Sequence, residues 1–319
     1  MKFTPAAYQQ LMHDHLVSHE RAGAFAGIGL GKTATTLAAF RTLLAEGAAR
    51  SMLVVAPLRV ANLTWPNEIR KWEEFRELRV ENLRHQKPSG KAHIYLINYE
   101  SLHKLDTLDF ADVITFDELT KAKNPQSERI KGLRPLLRPD LMRWGLTGTP
   151  RPNSLLELFA QIRLLDDGKR LGPSFSHFRQ TWFIPEDWRE YRWKPRADSE
   201  TRIYEKIHDL VITLRSSDYL GLPDTVVEDI EVSLPKDAHA VYRTLERDLI
   251  ALLGDDEEVV AINAAVLVNK LLQVCGGSVY NSEREVITIH DAKIKALRKL
   301  LVDIGEERAI IATNYIHER

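Results

Sequence analysis

Short apolar runs alternate with longer amphipathic ones through the first half of the chain. Runs at residues 23–26, 52–56, 94–97, 113–116 and 143–146 are mostly β-branched or leucine-rich at successive positions. That composition predicts strands buried on both faces. Between them, apolar positions recur at helical spacing over residues 5–19, 33–46, 66–75, 127–137 and 154–165. Strand–helix alternation predicts an α/β fold with an open, mostly parallel sheet and helices on both faces. Ligands of such sheets sit at the carboxyl ends of the strands, and Lys32, Asp117 and Thr147 each fall at or just beyond such an end.

The pattern changes after residue 165. Residues 166–202 hold Trp182, Trp188 and Trp193 among many charges and read as an irregular or helical insertion. Residues 203–214 carry helical spacing, 226–234 alternate as a strand does, 236–253 and 259–275 read as helices, 292–304 as another, and 309–313 as a final strand. This divides the chain into an α/β domain over 1–165, an insertion and linker over 166–225, and a further part over 226–319.

Composition narrows the class only a little. The 319 residues are 44% hydrophobic and 28% charged, with a net charge of −1. Any nucleic-acid surface is therefore a local patch and not a global polycation. One cysteine, Cys275, excludes an intramolecular disulfide and a cysteine-based zinc site; its apolar helix makes it core. No run approaches the ~18 apolar residues of a membrane span. His15 and His19 stand one helical turn apart but have no carboxylate at a ligand spacing, so they read as helix surface.

Chemistry enters at Gly27-Ile28-Gly29-Leu30-Gly31-Lys32-Thr33, between a strand and a helix. Glycines let backbone N–H groups turn inward around an anion, and the helix N-terminus adds unpaired donors and a positive dipole. Gly29 and Gly31 shape that cradle, Lys32 is placed for β- and γ-phosphates, and Thr33 for Mg²⁺. A second element is Asp117-Glu118 at a strand end, 85 residues after Lys32. A phosphohydrolase needs a carboxylate near the metal and a group to orient water; Asp117 takes the first task and Glu118 the second. A third is Thr147-Gly148-Thr149-Pro150, small residues that let the backbone pass close to a phosphate.

Taken in order, these segments resemble the helicase superfamily-two ATPases of the Swi/Snf type, with their bacterial and phage relatives. Tyr8-Gln9 resembles the motif whose glutamine recognises adenine. Gly29 to Thr33 resembles this branch's form of motif I, and Val54 to Leu58 with Trp65, Glu68 and Trp72 resembles motif Ia and its following helix. Ile97 to Glu100 resembles motif Ib, Asp117-Glu118-Leu119-Thr120 the acidic box with Thr120 where histidine is usual, and Leu146 to Pro150 motif III. The likeness covers roughly residues 5–165 and continues more weakly through 214–234, 272–275 and 292–311 into the start of a second RecA-like lobe.

The resemblance implies a P-loop, RecA-like ATP-binding lobe over 1–165 and a partial second lobe with a helical protrusion over 226–319. It implies ATP and Mg²⁺, hydrolysis coupled to movement on duplex DNA, and a cytoplasmic setting (the host cytoplasm where a phage encodes the protein). Gln9, Gly29, Gly31, Lys32 and Thr33 would hold nucleotide, Thr33 and Asp117 the metal, and Thr120, Thr147, Gly148 and Thr149 would couple nucleotide state to movement. Arg59, Lys121, Lys123 and Arg151 are loop cations placed to meet nucleic-acid phosphates. Most of the family's second lobe, with its arginine fingers, has no counterpart among these 319 residues, which leaves a fragment and a naturally shortened protein both open. Hydrolysis by these residues alone is therefore expected to be weak, and the unpaired strands at 226–234 and 309–313 invite a partner or self-association. A nucleotide- or DNA-binding module without turnover is the alternative, and RNA stays open as the polymer.

Overall fold

The computed structural model describes residues 1–318 apart from 125, 126, 149–153, 222, 224 and 254–257. The chain forms two compact units, Met1–Pro223 and Asp224–Arg319.

The strands of the first unit are β1 (Arg21–Ala26), β2 (Met52–Ala56), β3 (Val80–Asn82), β4 (Ile94–Asn98), β5 (Val113–Asp117), β6 (Met142–Thr147), the short hairpin pair β7 (Phe183–Pro185) and β8 (Trp193–Pro195), and β9 (Val211–Leu214). Its helices are α1 (Ala7–Ser18), α2 (Lys32–Ala45), α3 (Trp65–Lys71), α4 (Glu128–Leu133), α5 (Leu158–Asp166), α6 (Phe175–Trp182), α7 (Ser199–Ile207) and the single turn α8 (Ser216–Tyr219). Seven strands make one sheet in the order β3-β4-β2-β5-β6-β1-β9, and every pairing in it is parallel.

The continuous apolar runs are explained by burial on both faces. Along β2, Leu53 and Val55 enter one core, with Ile114 and Phe116 of β5 and with Phe159 and Ile162 of α5. Met52, Val54 and Ala56 enter the other, against Leu37 and Phe40 of α2 and Met12 and Leu16 of α1. α2 begins where Gly31 takes a left-handed conformation (φ 72°), and beyond its Glu46 cap Gly47 takes the same conformation (φ 73°), which costs glycine little.

Two features differ from the sequence reading in this unit. The helical spacing at 203–214 covers two elements: α7 ends at Ile207, and Val211–Leu214 is the edge strand β9, bonded in parallel to β1. Ile203, Ile207, Leu210 and Val211 share one core, which explains the helix-like period. The tryptophan-rich insertion is α6 followed by the antiparallel β7–β8 hairpin.

The second unit contains α9 (Lys236–Leu253) and α10 (Glu258–Gly276), the hairpin of β10 (Ser278–Tyr280) and β11 (Val286–Thr288), and α11 (Ala292–Ile304). Neither 226–234 nor 309–313 is a strand, against expectation. Ile230, Val232 and Ile311 instead border an apolar cleft with Ile294, Leu297 and Leu300 of α11 and stay exposed, so the alternation there reflects neither a ladder nor a buried face. Cys275 is exposed, not core.

Candidate nucleotide site

The strand register brings the chemistry together. Phe25 of β1 is level with Thr147 of β6, and Asp117 of β5 is level with Leu146. With ~4.8 Å between neighbouring strands, the ends of β1 and β5 stand roughly 10 Å apart, and Thr147-Gly148 rises between them. A Cβ added at Gly148 would lie 3.7 Å from the Ala26 carbonyl and 3.8 Å from Lys32 Nζ.

Lys32 opens α2 and folds back over its own loop. Its Nζ donates to the Ala26 carbonyl at 2.8 Å and the Gly27 carbonyl at 3.2 Å. Burial pushes its pKa down, while the charges of Asp117 and Glu118 push it up. Main-chain carbonyls are weak partners for a desolvated ammonium, and an incoming phosphate would offer it a full anion. Gln9 braces the loop from α1: its side-chain amide donates to the Leu30 carbonyl at 3.3 Å and its oxygen accepts from the Ala6 N–H at 2.9 Å. Glycine is favoured at 31 by its φ of 72°, and an added Cβ would also stand 2.4 Å from Gln9 Nε2, so that brace would have to shift. The Ser216 hydroxyl donates to the Ile28 carbonyl at 2.8 Å, a Cβ added at Gly29 would lie 3.1 Å from Leu220 Cδ1, and Tyr219 packs on Tyr8 with ring centroids 4.9 Å apart.

Asp117 is buried at the end of β5, and Trp65 Nε1 donates to its Oδ2 at 2.8 Å. Burial raises its pKa; the indole bond and the Lys32 charge act against that rise. Glu118 is in the left-handed region at φ 59°, which costs a non-glycine residue about 1 kcal/mol or more. Its surroundings hold it there. The Tyr99 hydroxyl donates to the Asp117 carbonyl at 3.1 Å and the Glu118 carbonyl at 3.4 Å. Thr120 Oγ1 donates to Glu118 Oε1 at 2.5 Å, and the Lys121 N–H to the Glu118 carbonyl at 2.8 Å. Thr120 thus bears directly on the acid next to the site.

The donor set fits a magnesium nucleotide. Mg²⁺ is ordinarily held by one or two carboxylates with substrate phosphates, and Asp117 with the Thr33 hydroxyl would hold it here. The other sequence candidates lie around the same edge. Arg59 and Lys121 are exposed, whereas Lys123 is paired with Glu157 at 3.0 Å. Thr149 and Arg151 lie outside the described residues. The roles of Trp65 and Tyr99 at Asp117 carry no local sequence signal, since their partners are 52 and 18 residues away.

Residues 13–278 match the SNF2-related domain family, and the chain belongs to it. It is 34% identical to protein p41 of Acyrthosiphon pisum secondary endosymbiont phage 1, over 99% of this chain and 73% of that protein. Among solved structures it resembles a Sulfolobus solfataricus SWI2/SNF2 ATPase core in complex with double-stranded DNA, with a TM-score of 0.61, 21% identity, and coverage of 100% of this chain and 68% of that one. A second Sulfolobus solfataricus SWI2/SNF2 ATPase core domain matches with a TM-score of 0.53, 22% identity, and coverage of 87% and 58%. Both share the RecA-like fold of the first unit.

Proposed function

We propose that the chain is an ATP-dependent motor of the Swi/Snf type that binds Mg-ATP at the β1–α2 loop and hydrolyses it in response to duplex DNA. The observation that carries this reading is the level alignment of three strand ends: a desolvated Lys32 that, among the described residues, bonds only to its own loop, within Coulomb range of Asp117 and Glu118. Loop N–H groups and Lys32 grip the phosphates. Thr33 and Asp117 hold the metal, which supplies charge neutralisation on the phosphates. Glu118 orients the attacking water, and Thr120, bonded to its carboxylate, passes nucleotide state towards Thr147 and Gly148. Arg59 and Lys121 meet the DNA backbone.

Family membership supports the ATPase reading, and duplex DNA is the polymer in the complex of the Sulfolobus core whose fold is shared. The test is ATP hydrolysis by the purified chain with and without duplex DNA. The expected result is a slow turnover that rises with DNA and is lost in Glu118→Gln while nucleotide binding persists. Stimulation by duplex RNA and not by DNA would transfer the polymer assignment. Turnover that ignores both polymers would refute a nucleic-acid motor.

A further inference from the structure

The β7–β8 hairpin leaves two large aromatic side chains without cover. Trp188 is 85% exposed and Tyr191 81% exposed. The other tryptophans of the insertion are engaged. Trp182 is buried beneath the Arg202 guanidinium, and Trp193 lies under that of Arg179 with its indole donating to the Glu190 carbonyl at 2.7 Å. Placing Trp188 and Tyr191 in water forgoes the burial that Trp182 and Phe183 obtain at the base of the same hairpin.

The tip that carries them is built. The Asp187 carboxylate accepts the backbone N–H groups of Tyr191 at 3.1 Å and Arg192 at 2.9 Å, and these bonds hold its pKa below the ordinary range. The Glu186 N–H donates to the Arg192 carbonyl at 2.9 Å, and Glu190 turns the chain at φ 56°. The Arg189 guanidinium sits 4.7 Å from the Trp188 ring centroid. These bonds fix the backbone from which the two rings project, which lowers the ordering cost of binding.

Its place in the fold matters. α7 starts four residues after Pro195, and Glu200 and Tyr204 of α7 line a hollow of about 630 Å³ with Gly27, Gly148 and Arg215. The hairpin therefore springs from the carboxyl edge of the sheet, the edge that bears Lys32 and Asp117.

We propose that Trp188 and Tyr191 form a stacking platform for unpaired nucleobases. The proposal rests on the nucleic-acid reading above and specifies which part of the polymer this hairpin meets. Charge favours bases over backbone. Asp187 lies 3.7 Å from Arg192 and is spent on the turn, and Glu186 and Glu190 offset Arg189 and Lys194. The tip is thus near neutral and a poor phosphate clamp, whereas any base offers a π-face to an aromatic ring. Paired bases inside a duplex hide those faces, so the platform selects a tail, fork or opened end.

The test is fluorescence anisotropy with a labelled blunt DNA duplex and with the same duplex carrying an unpaired tail of about ten nucleotides. Trp188→Ala/Tyr191→Ala is expected to lose about ten- to hundredfold in affinity for the tailed duplex and less than about twofold for the blunt one. Trp188→Phe/Tyr191→Phe should keep both affinities, and the defect should persist as salt rises, because stacking releases few counterions. Both rings are exposed, so the variants should fold as the parent does. Equal loss on both duplexes, or no loss on the tailed one, overturns the platform. An unaltered DNA affinity with an altered sedimentation profile would assign the tip to protein contact and overturn it too. If the parent protein binds neither duplex, the nucleic-acid reading itself fails, a result distinct from the others.

Discussion

Trp65→Phe removes the indole N–H from Asp117 and keeps an aromatic ring in its place. Asp117 is buried, and the 2.8 Å indole bond opposes the rise in its pKa that burial causes. A hydrogen bond to a charged group contributes about 1.5–3 kcal/mol. The smaller ring leaves a void costing on the order of 1–2 kcal/mol. The void acts at every pH, but the hydrogen bond acts at full strength only while Asp117 is ionised. Because the folded pKa lies above the ordinary 3.8, Asp117 contributes stability that is fully present below that ordinary value. That contribution is lost as pH rises through the folded pKa. In the variant the ionised form is poorer still, so Asp117 titrates at higher pH. Urea unfolding of both proteins across a pH series reads the difference. The variant should be less stable by about 1–2 kcal/mol where Asp117 is protonated and by about 3–5 kcal/mol where it is ionised. A gap that stays constant or narrows as pH rises would refute the claim that Trp65 holds the ionised carboxylate.

Three further perturbations follow from the same geometry. Gly31→Ala places a Cβ 2.4 Å from Gln9 Nε2 at a φ of 72°, so it should destabilise by about 2–3 kcal/mol in urea unfolding. Paired with Gln9→Ala the two losses should fall short of additivity by about 1 kcal/mol, because the Gln9–Leu30 bond can be lost only once. Thr120→Ala frees the Glu118 carboxylate; turnover should fall about tenfold with nucleotide affinity unchanged, and an unchanged kcat would remove Thr120 from the coupling. Arg143→Met deletes a guanidinium whose side chain is 1% exposed and which bonds Asp167 at 2.6 Å and the Leu137 carbonyl at 3.0 Å. It should cost about 3 kcal/mol, measured as a lower urea midpoint with activity per folded molecule retained.

The sheet was legible where the sequence signal is one of buried apolar runs. β2 and β5 are apolar at nearly every position, so their existence and approximate bounds could be read from residues alone. β3 could not, because Val80-Glu81-Asn82 is short, largely exposed and without apolar alternation. β9 was hidden by the core it shares with α7, although Val211, Ile212 and Thr213 are all β-branched. At the site, glycine spacing and the acidic pair pointed to the loop and to the strand end. Gln9 came from family resemblance, and its contact with the Leu30 carbonyl is visible only in three dimensions. The bonds from Trp65 and Tyr99 to Asp117 join distant segments, and pattern reading has no access to them. The strand-like 226–234 segment shows the converse limit: its residues alternate, yet they form no strand and Val226, Val227, Ile230 and Val232 are exposed.

The proposed function requires Lys32, Asp117 and the β1–α2 loop to form a nucleotide triphosphate site. Calorimetric titration of Mg-ATP into the parent chain and into Lys32→Ala tests it most directly. The parent should bind and the variant should lose about ten- to hundredfold in affinity, the worth of one charge-assisted contact to phosphate. No binding by the parent, or equal binding by both, would contradict it.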